Sequence, residues 1–390
     1  MKRKISLLLA LVMSTTFTLT GCGASKDKTK ANVDSDVIKI GVFQPMTGAN
    51  AAGGALEAEG TKLANKIYPT VLGKKVELVF ADNKSDKVEA ASAAANLIEQ
   101  EHVNAIIGSY GSGFSMAAGD IVQEAKIPAV GVTCTNPLVT AGNDYYFRVC
   151  FIDPFQGTVM AKYAANKLNA KKVAILQEVS SDYSVGICKF FMDEFKKLTG
   201  DNNAIVAKAN YNTGDQDFTA QLTNIKSSNP DVIFAPGNFT EGAMIIKQAR
   251  QLGITAAIIG ADTWETPEFL DIGKQDVEGT VFSTFFASET PITEESKTFL
   301  DTYRQENNKE PAAATALGYD AYILILDAIK RADSADPVKI RDELAKTKNF
   351  PGAAGVITID ENNNAVKDAV LKVVKDGKFT YLDTIKPEEN

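Results

Sequence analysis

The sequence predicts an α/β protein built from two doubly wound parallel-sheet lobes, and three observations carry that prediction. Short apolar, β-branched runs alternate with longer amphipathic ones, the pattern of βαβ units. The alternation starts afresh after Tyr146-Phe147-Arg148-Val149. About 350 residues follow the polar N-terminal region, more than one hydrophobic core usually organises.

In the first lobe, strands are expected at 37–43, 76–81, 103–107 and 127–132, with helices at 55–68, 86–101 and 114–126 between them. In the second, helices at 155–168, 184–199, 218–228 and 242–252 alternate with strands at 172–177, 204–209, 232–235, 257–260 and 280–285. Helices at 294–307, 315–331 and 337–347 have no strands of their own to cover and are placed back on the first lobe. The domains are then discontinuous, and the chain crosses between them more than once. A closing meander at 356–359, 366–374 and 379–382 is assigned to the second lobe or its edge. The expected limits are 36–152 plus 286–354 for lobe 1 and 153–285 plus 355–390 for lobe 2.

The N-terminus carries Lys2, Arg3 and Lys4, an apolar run over 5–13, and then small and hydroxylated residues. That order is a secretory signal, expected over 1–21. The run is shorter than the roughly 20 apolar residues a membrane span needs. Leu19-Thr20-Gly21-Cys22 resembles the bacterial lipobox, which implies that Cys22 receives a lipid and anchors the chain to a membrane face. Residues 22–35 are small, polar and charged, and read as a flexible tether.

A net charge of −8 argues against a nucleic-acid partner, because phosphate binding needs a basic face. Cys134, Cys150 and Cys188 form no CxxC pair and read as small buried hydrophobes. His102, the sole histidine, is expected on a surface turn, so a clustered-histidine metal site is excluded and no cofactor is implied.

In open parallel sheets ligands bind beyond the carboxyl ends of the strands. Gly108-Ser109-Tyr110-Gly111-Ser112-Gly113 joins a strand to a helix: either it cradles an anion at the helix N-terminus, or it is a glycine turn with Ser112 as cap. Thr133-Cys134-Thr135 puts two hydroxyls on one side of an extended segment and, with Ser112, suits a carboxylate. The loop 180–184 presents Tyr183, and the neighbouring loops present Asn238, Phe239, Asp262 and Trp264. Asp262 needs a cation or several donors, which a ligand ammonium supplies, unless it caps the helix that starts near Thr266-Pro267. Trp264 either closes over a ligand or fills a domain seam.

From Ile38-Lys39-Ile40-Gly41-Val42 and the Pro45-Met46-Thr47-Gly48 turn to the closing meander, the chain resembles the leucine/isoleucine/valine-binding proteins, type I periplasmic binding proteins that serve ABC importers. The resemblance implies two lobes joined by three crossing segments, with a ligand cleft between them. It implies that Ser112 and Thr135 bind an amino-acid carboxylate with help from Thr133. Tyr183 would close from the second lobe and Asp262 would hold the α-ammonium. Two departures touch the side-chain pocket. Asn238 or Phe239 stands where the family has a tyrosine, and Ala51-Ala52-Gly53-Gly54 lacks a wall aromatic. The expected function is that of an extracytoplasmic, monomeric receptor that captures an amino acid, branched-chain or otherwise aliphatic, and presents it to an ABC permease. The rival reading, an exported amidohydrolase, lacks a base near its candidate hydroxyls. A ligand-sensing co-receptor of the same fold is a third reading.

Overall fold

A computed structural model describes residues 35–387, and the signal segment, Cys22 and the tether up to residue 34 lie outside the described residues. The first lobe begins with β1 (Val37–Gln44), α1 (Ala51–Ile67) and a hairpin of β2 (Thr70–Val71) and β3 (Lys74–Asp82). It continues through α2 (Lys87–Glu99), β4 (Ala105–Ile107), α3 (Ser112–Ala125), β5 (Ala129–Gly131) and β6 (Tyr146–Arg148). The strands lie in the order β2-β3-β1-β4-β5-β6, parallel throughout except for the β2–β3 hairpin. Both faces are covered by helices, which is why the strand runs are apolar rather than alternating.

The second lobe follows as α4 (Asp153–Lys162), β7 (Val173–Glu178), α5 (Asp182–Thr199), β8 (Ile205–Tyr211), α6 (Thr219–Ser227) and β9 (Val232–Phe234). Then come α7 (Phe239–Gln251), β10 (Ala257–Gly260), α8 (Pro267–Gly273) and β11 (Val281–Thr284). Local chemistry sets the helix starts: Ser181 caps α5 through the Ser184 N–H, and Thr266 caps α8 with Pro267 in its first turn. That cap belongs to Thr266, not to Asp262.

The chain returns with α9 (Glu294–Asn307), α10 (Ala313–Ala332) and α11 (Pro337–Leu344). α10 lies along α1 of the first lobe, close enough that glycine is required at the crossing. A Cβ on Gly60 would sit 1.8 Å from the Thr315 carbonyl oxygen, and one on Gly318 would sit 2.2 Å from that of Glu57. The expected closing meander divides. β12 (Phe350–Gly352), β13 (Gly355–Ile359) and β14 (Ala365–Val366) form a small antiparallel sheet, whereas β15 (Ala369–Lys375) and β16 (Lys378–Ile385) join the second sheet antiparallel. The cause is the asparagine turn. Asn363 accepts from the Arg148 N–H at 3.2 Å and Asn364 from the Thr140 hydroxyl at 2.9 Å, tying that turn to the end of β6.

The second sheet therefore runs β16-β15-β11-β10-β9-β7-β8. The chain crosses between the sheets three times: after β6, after β11 and after β14. The first two crossings pack on each other through Phe151 and Phe285, whose ring centroids are 4.5 Å apart, so one apolar cluster runs through the junction. Cys134, Cys150 and Cys188 are buried free thiols and His102 is exposed, as their sequence surroundings suggested. Among the described residues no helix is long and apolar enough to cross a membrane.

Candidate functional site

The loops at the carboxyl ends of both parallel sheets enclose a cavity of about 330 Å³ between the lobes. Of the residues singled out by sequence, Tyr110, Ser112, Thr133, Tyr183, Asn238 and Asp262 line it. Its rim is closed by contacts between lobes: Lys87 with Asp182 at 2.5 Å, Asn136 Nδ2 donating to the Asp182 carbonyl at 2.9 Å, and Asn238 Nδ2 donating to the Ala49 carbonyl at 3.1 Å.

The N-terminus of α3 opens into this cavity through Gly111, Ser112, Gly113 and Phe114. Gly111, at φ 91°, is the cap and Ser112 the first helical residue, so of the two readings of Ser112 the cap is excluded. The Ser112 hydroxyl accepts from the Asn136 N–H at 3.1 Å, which locks the loop after β5 against α3. A helix start has unpaired N–H groups and a positive dipole end, and it suits a carboxylate.

Tyr110 lies over α1. A Cβ on Gly53 would meet its ring at 2.2 Å, so this glycine makes room for an aromatic that comes from the β4–α3 loop. The wall aromatic missing from 51–54 is thus supplied from another position. Across the cavity Asp262 sits in a single helical turn after β10, and its Oδ1 accepts from Tyr183 Oη and Gln156 Nε2, both at 2.7 Å. Burial pushes the Asp262 carboxyl up to about 6, against those two donors.

Three expected site residues stand elsewhere. Thr135 is fully buried and does not line the cavity, because the chain turns inward there and its carbonyl accepts from the Asp153 N–H at 2.9 Å. Phe239, the first residue of α7, packs into the second-lobe core. Trp264 is fully buried and stacks on Phe269 at 4.9 Å, filling the space left by Gly242 and Gly260. Alternation along a loop does not survive a turn, and a lone tryptophan beside two glycines is core packing.

The sequence reading missed the acids behind the wall. Glu57 on α1 is fully buried and accepts from the Thr133 hydroxyl and from Gln44 Nε2 at 2.6 Å; burial pushes it up to about 8. The Thr133 hydroxyl is therefore committed to Glu57. Burial likewise pushes Asp153 up to about 8, beside Thr135 and Asp262. Glu178 accepts from the Thr213 hydroxyl and the Asn238 N–H, and burial raises its pKa. The signal for Glu57 was present: Gly53, Glu57, Gly60 and Ala64 fall on one helical stripe, where a charged side chain is out of place.

Comparison with known proteins agrees with this geometry. Residues 37–378 match the family model described as periplasmic binding protein. A Leu/Ile/Val-binding protein, BraC3, of Rhizobium johnstonii is 32% identical over 84% of this chain and 88% of its own length. A leucine-binding protein LivK from Thermotoga maritima shares 46% identity at a TM-score of 0.87, covering 90% of this chain and 99% of that one. LivJ from Streptococcus pneumoniae, solved in complex with isoleucine, shares 36% identity at a TM-score of 0.84, covering 90% of this chain and all of that one (100%). With a family model spanning most of its length, two crossed doubly wound lobes and a cleft at their strand ends, this chain belongs to the periplasmic binding protein family of solute receptors.

Proposed function

We propose that this protein captures a free α-amino acid, branched-chain or otherwise aliphatic, in the interlobe cleft and delivers it to an ABC permease. One observation carries the ligand class: an ionisable acid, Asp262, and an uncapped helix start, α3, open into the same cavity. The first suits an ammonium and the second a carboxylate. Ser112 with the α3 N–H groups takes the carboxylate, and Asp262, oriented by Tyr183 and Gln156, takes the ammonium. Tyr110, Phe114 and Tyr183 flank the side chain. Thr133 acts through Glu57, while Thr135, Phe239 and Trp264 support the walls. Micromolar capture requires about 8 kcal/mol, which two charged ends and one buried side chain supply.

The relatives' ligands, leucine and isoleucine, support the aliphatic assignment. The signal-like N-terminus supports export, with Cys22 as lipid anchor and 22–35 as tether. The receptor acts as a monomer, with residues 36–152 and 286–366 moving as lobe 1 against 153–285 and the last two strands, β15 and β16.

Isothermal titration of the protein starting at Ala24 tests this with three related ligands: leucine, leucinamide, which lacks the carboxylate, and N-acetylleucine, which lacks the ammonium. Leucine is expected to bind at least tenfold tighter than either, since each lost charged hydrogen bond costs about 1.5–3 kcal/mol. Equal affinity for leucine and leucinamide would overturn the assignment of α3.

A further inference from the structure

We propose that Glu265 is a positioning residue that latches the closed lobes by serving as the helix cap that α10 lacks. This goes beyond the ligand reading and rests on it only for the link to capture. Glu265 ends the turn that carries Asp262, its N–H donating to the Asp262 carbonyl at 3.2 Å. Its carboxylate is buried and fully engaged. Oε1 accepts from Lys372 Nζ at 2.7 Å and from the Ala313 N–H at 3.1 Å, and Oε2 accepts from the Thr284 hydroxyl at 2.5 Å.

Lys372 and Thr284 belong to strands of the second sheet, so they fix the carboxylate in the second lobe. Ala313 is different, for it is the first residue of α10, which lies on α1 in the first lobe. The residue before it, Ala312, offers no side-chain cap. A twenty-residue helix with an empty cap has unpaired N–H groups and a positive dipole end. Here an anion from the other lobe answers both. Parting the lobes withdraws Glu265 and leaves the start of α10 to water.

The consequence for capture follows from chain connectivity. The turn 262–265 holds the ammonium anchor at one end and the latch at the other, with no flexible segment between them. A ligand that orders Asp262 also orders Glu265 for α10, and α10 sits on α1, whose Gly53 lies beneath Tyr110. Closure and ligand contact are therefore read by one rigid turn.

Two substitutions attack the latch from opposite sides. Ala313→Pro removes the donor while keeping the helix, because proline is favoured at the first helical position and Ala312, at φ −74° and ψ 160°, already has the backbone a residue before proline adopts. Glu265→Gln keeps an acceptor but removes the charge. Stopped-flow binding of leucine and small-angle scattering with and without leucine are compared with wild type, alongside the unliganded unfolding midpoint. The expected result is a dissociation rate raised roughly tenfold in Ala313→Pro with the association rate within about twofold. Its unliganded form should have a larger radius of gyration and a midpoint near wild type, and Glu265→Gln should fall between the two. A lowered midpoint with dissociation and scattering unchanged would make Glu265 merely structural and sink the proposal. Scattering of the unliganded protein reads the latch by itself: a wild-type protein that binds no amino acid refutes the ligand reading, and an unshifted radius in both variants refutes the latch. If Ala313→Pro does not fold, Glu265→Gln gives the same two readouts.

Discussion

Lowering the pH from 7 to 5 should weaken ligand binding by about a factor of ten through Asp262. The carboxyl sits at about 6, raised by burial against the donors Tyr183 and Gln156. An ammonium binds the ionised form. With that pKa the ionised fraction is roughly nine-tenths at pH 7 and one-tenth at pH 5, a difference of about 1.4 kcal/mol in apparent affinity. Glu57 and Asp153, which burial holds near 8, stay protonated across this window and do not confuse the profile. Complex formation pulls the Asp262 pKa down, so binding near pH 6 releases protons, about half of one per ligand, and by pH 8 the release fades. Calorimetry in two buffers of different ionisation enthalpy measures both the affinity and the protons. Asp262→Asn should bind roughly 10–150-fold more weakly at pH 7, the loss of a charged hydrogen bond, and its profile between pH 5 and 7 should be flat. An unchanged wild-type affinity over that range, or the same slope in the Asn variant, would refute the reasoning.

Three further outcomes follow from the same geometry. Glu57 and Asp153 are raised from their ordinary values of 4.5 and 3.8 to about 8, so the unliganded fold holds protons that the unfolded chain releases. Their contribution is complete below about pH 4 and is lost as pH rises through 8. Urea unfolding should show declining stability over that span, and Glu57→Gln should reduce the slope. Trp264→Ala should cost about 3–5 kcal/mol in urea unfolding, the range for emptying a large aromatic site, while leucine affinity of the folded fraction changes less than the roughly tenfold that a contact residue loses. Gly53→Ala should push Tyr110 from its place, since the new Cβ falls 2.2 Å from the ring. Titration should then show weaker binding with little loss of stability, and unaltered affinity would mean that Tyr110 does not wall the ligand.

How much of this was legible depended on whether a residue's role is set locally. The strands at 37–43 and 257–260 and the helix at 294–307 were readable because apolar periodicity and the caps lie within each segment. Ser112, Tyr183 and Asp262 were readable because strand-end loops converge in a parallel sheet, whatever the rest of the chain does. Glu57 stood out only as a charge on an apolar stripe; its role was not readable, because its partners, Thr133 and Gln44, come from two other segments that the fold brings to α1. The split of the closing strands was hidden for the same reason. Its cause is a pair of asparagines bonding to Thr140 and Arg148, far away in sequence. Trp264 was ambiguous by chemistry, since one side chain suits either a lid or a core, and only Gly242 and Gly260 decide.

The charge arrangement explains why a zwitterion fits a site so poor in free cations. Lys87, the one basic residue in the cavity wall among the described residues, is held by Asp182 at 2.5 Å and spends its charge on closing the rim. The positive side must come from elsewhere, and two fixed sources supply it. The first is the start of α3, whose N–H groups cost no desolvation of a mobile side chain. The second is Arg148, fully buried behind the loop after β5 and donating from Nη1 to the carbonyls of Cys134 and Asn136 at 2.6 and 2.9 Å and from Nη2 to the Thr140 hydroxyl at 3.0 Å. Those acceptors are neutral, and through them the guanidinium holds the backbone of the loop after β5 in place. On the opposing lobe Asp262 is the acid poised to ionise, whereas Glu57 and Asp153 are kept neutral by burial. One polarity is built into each lobe, and bringing the lobes together assembles the field that an amino acid's two charged ends require.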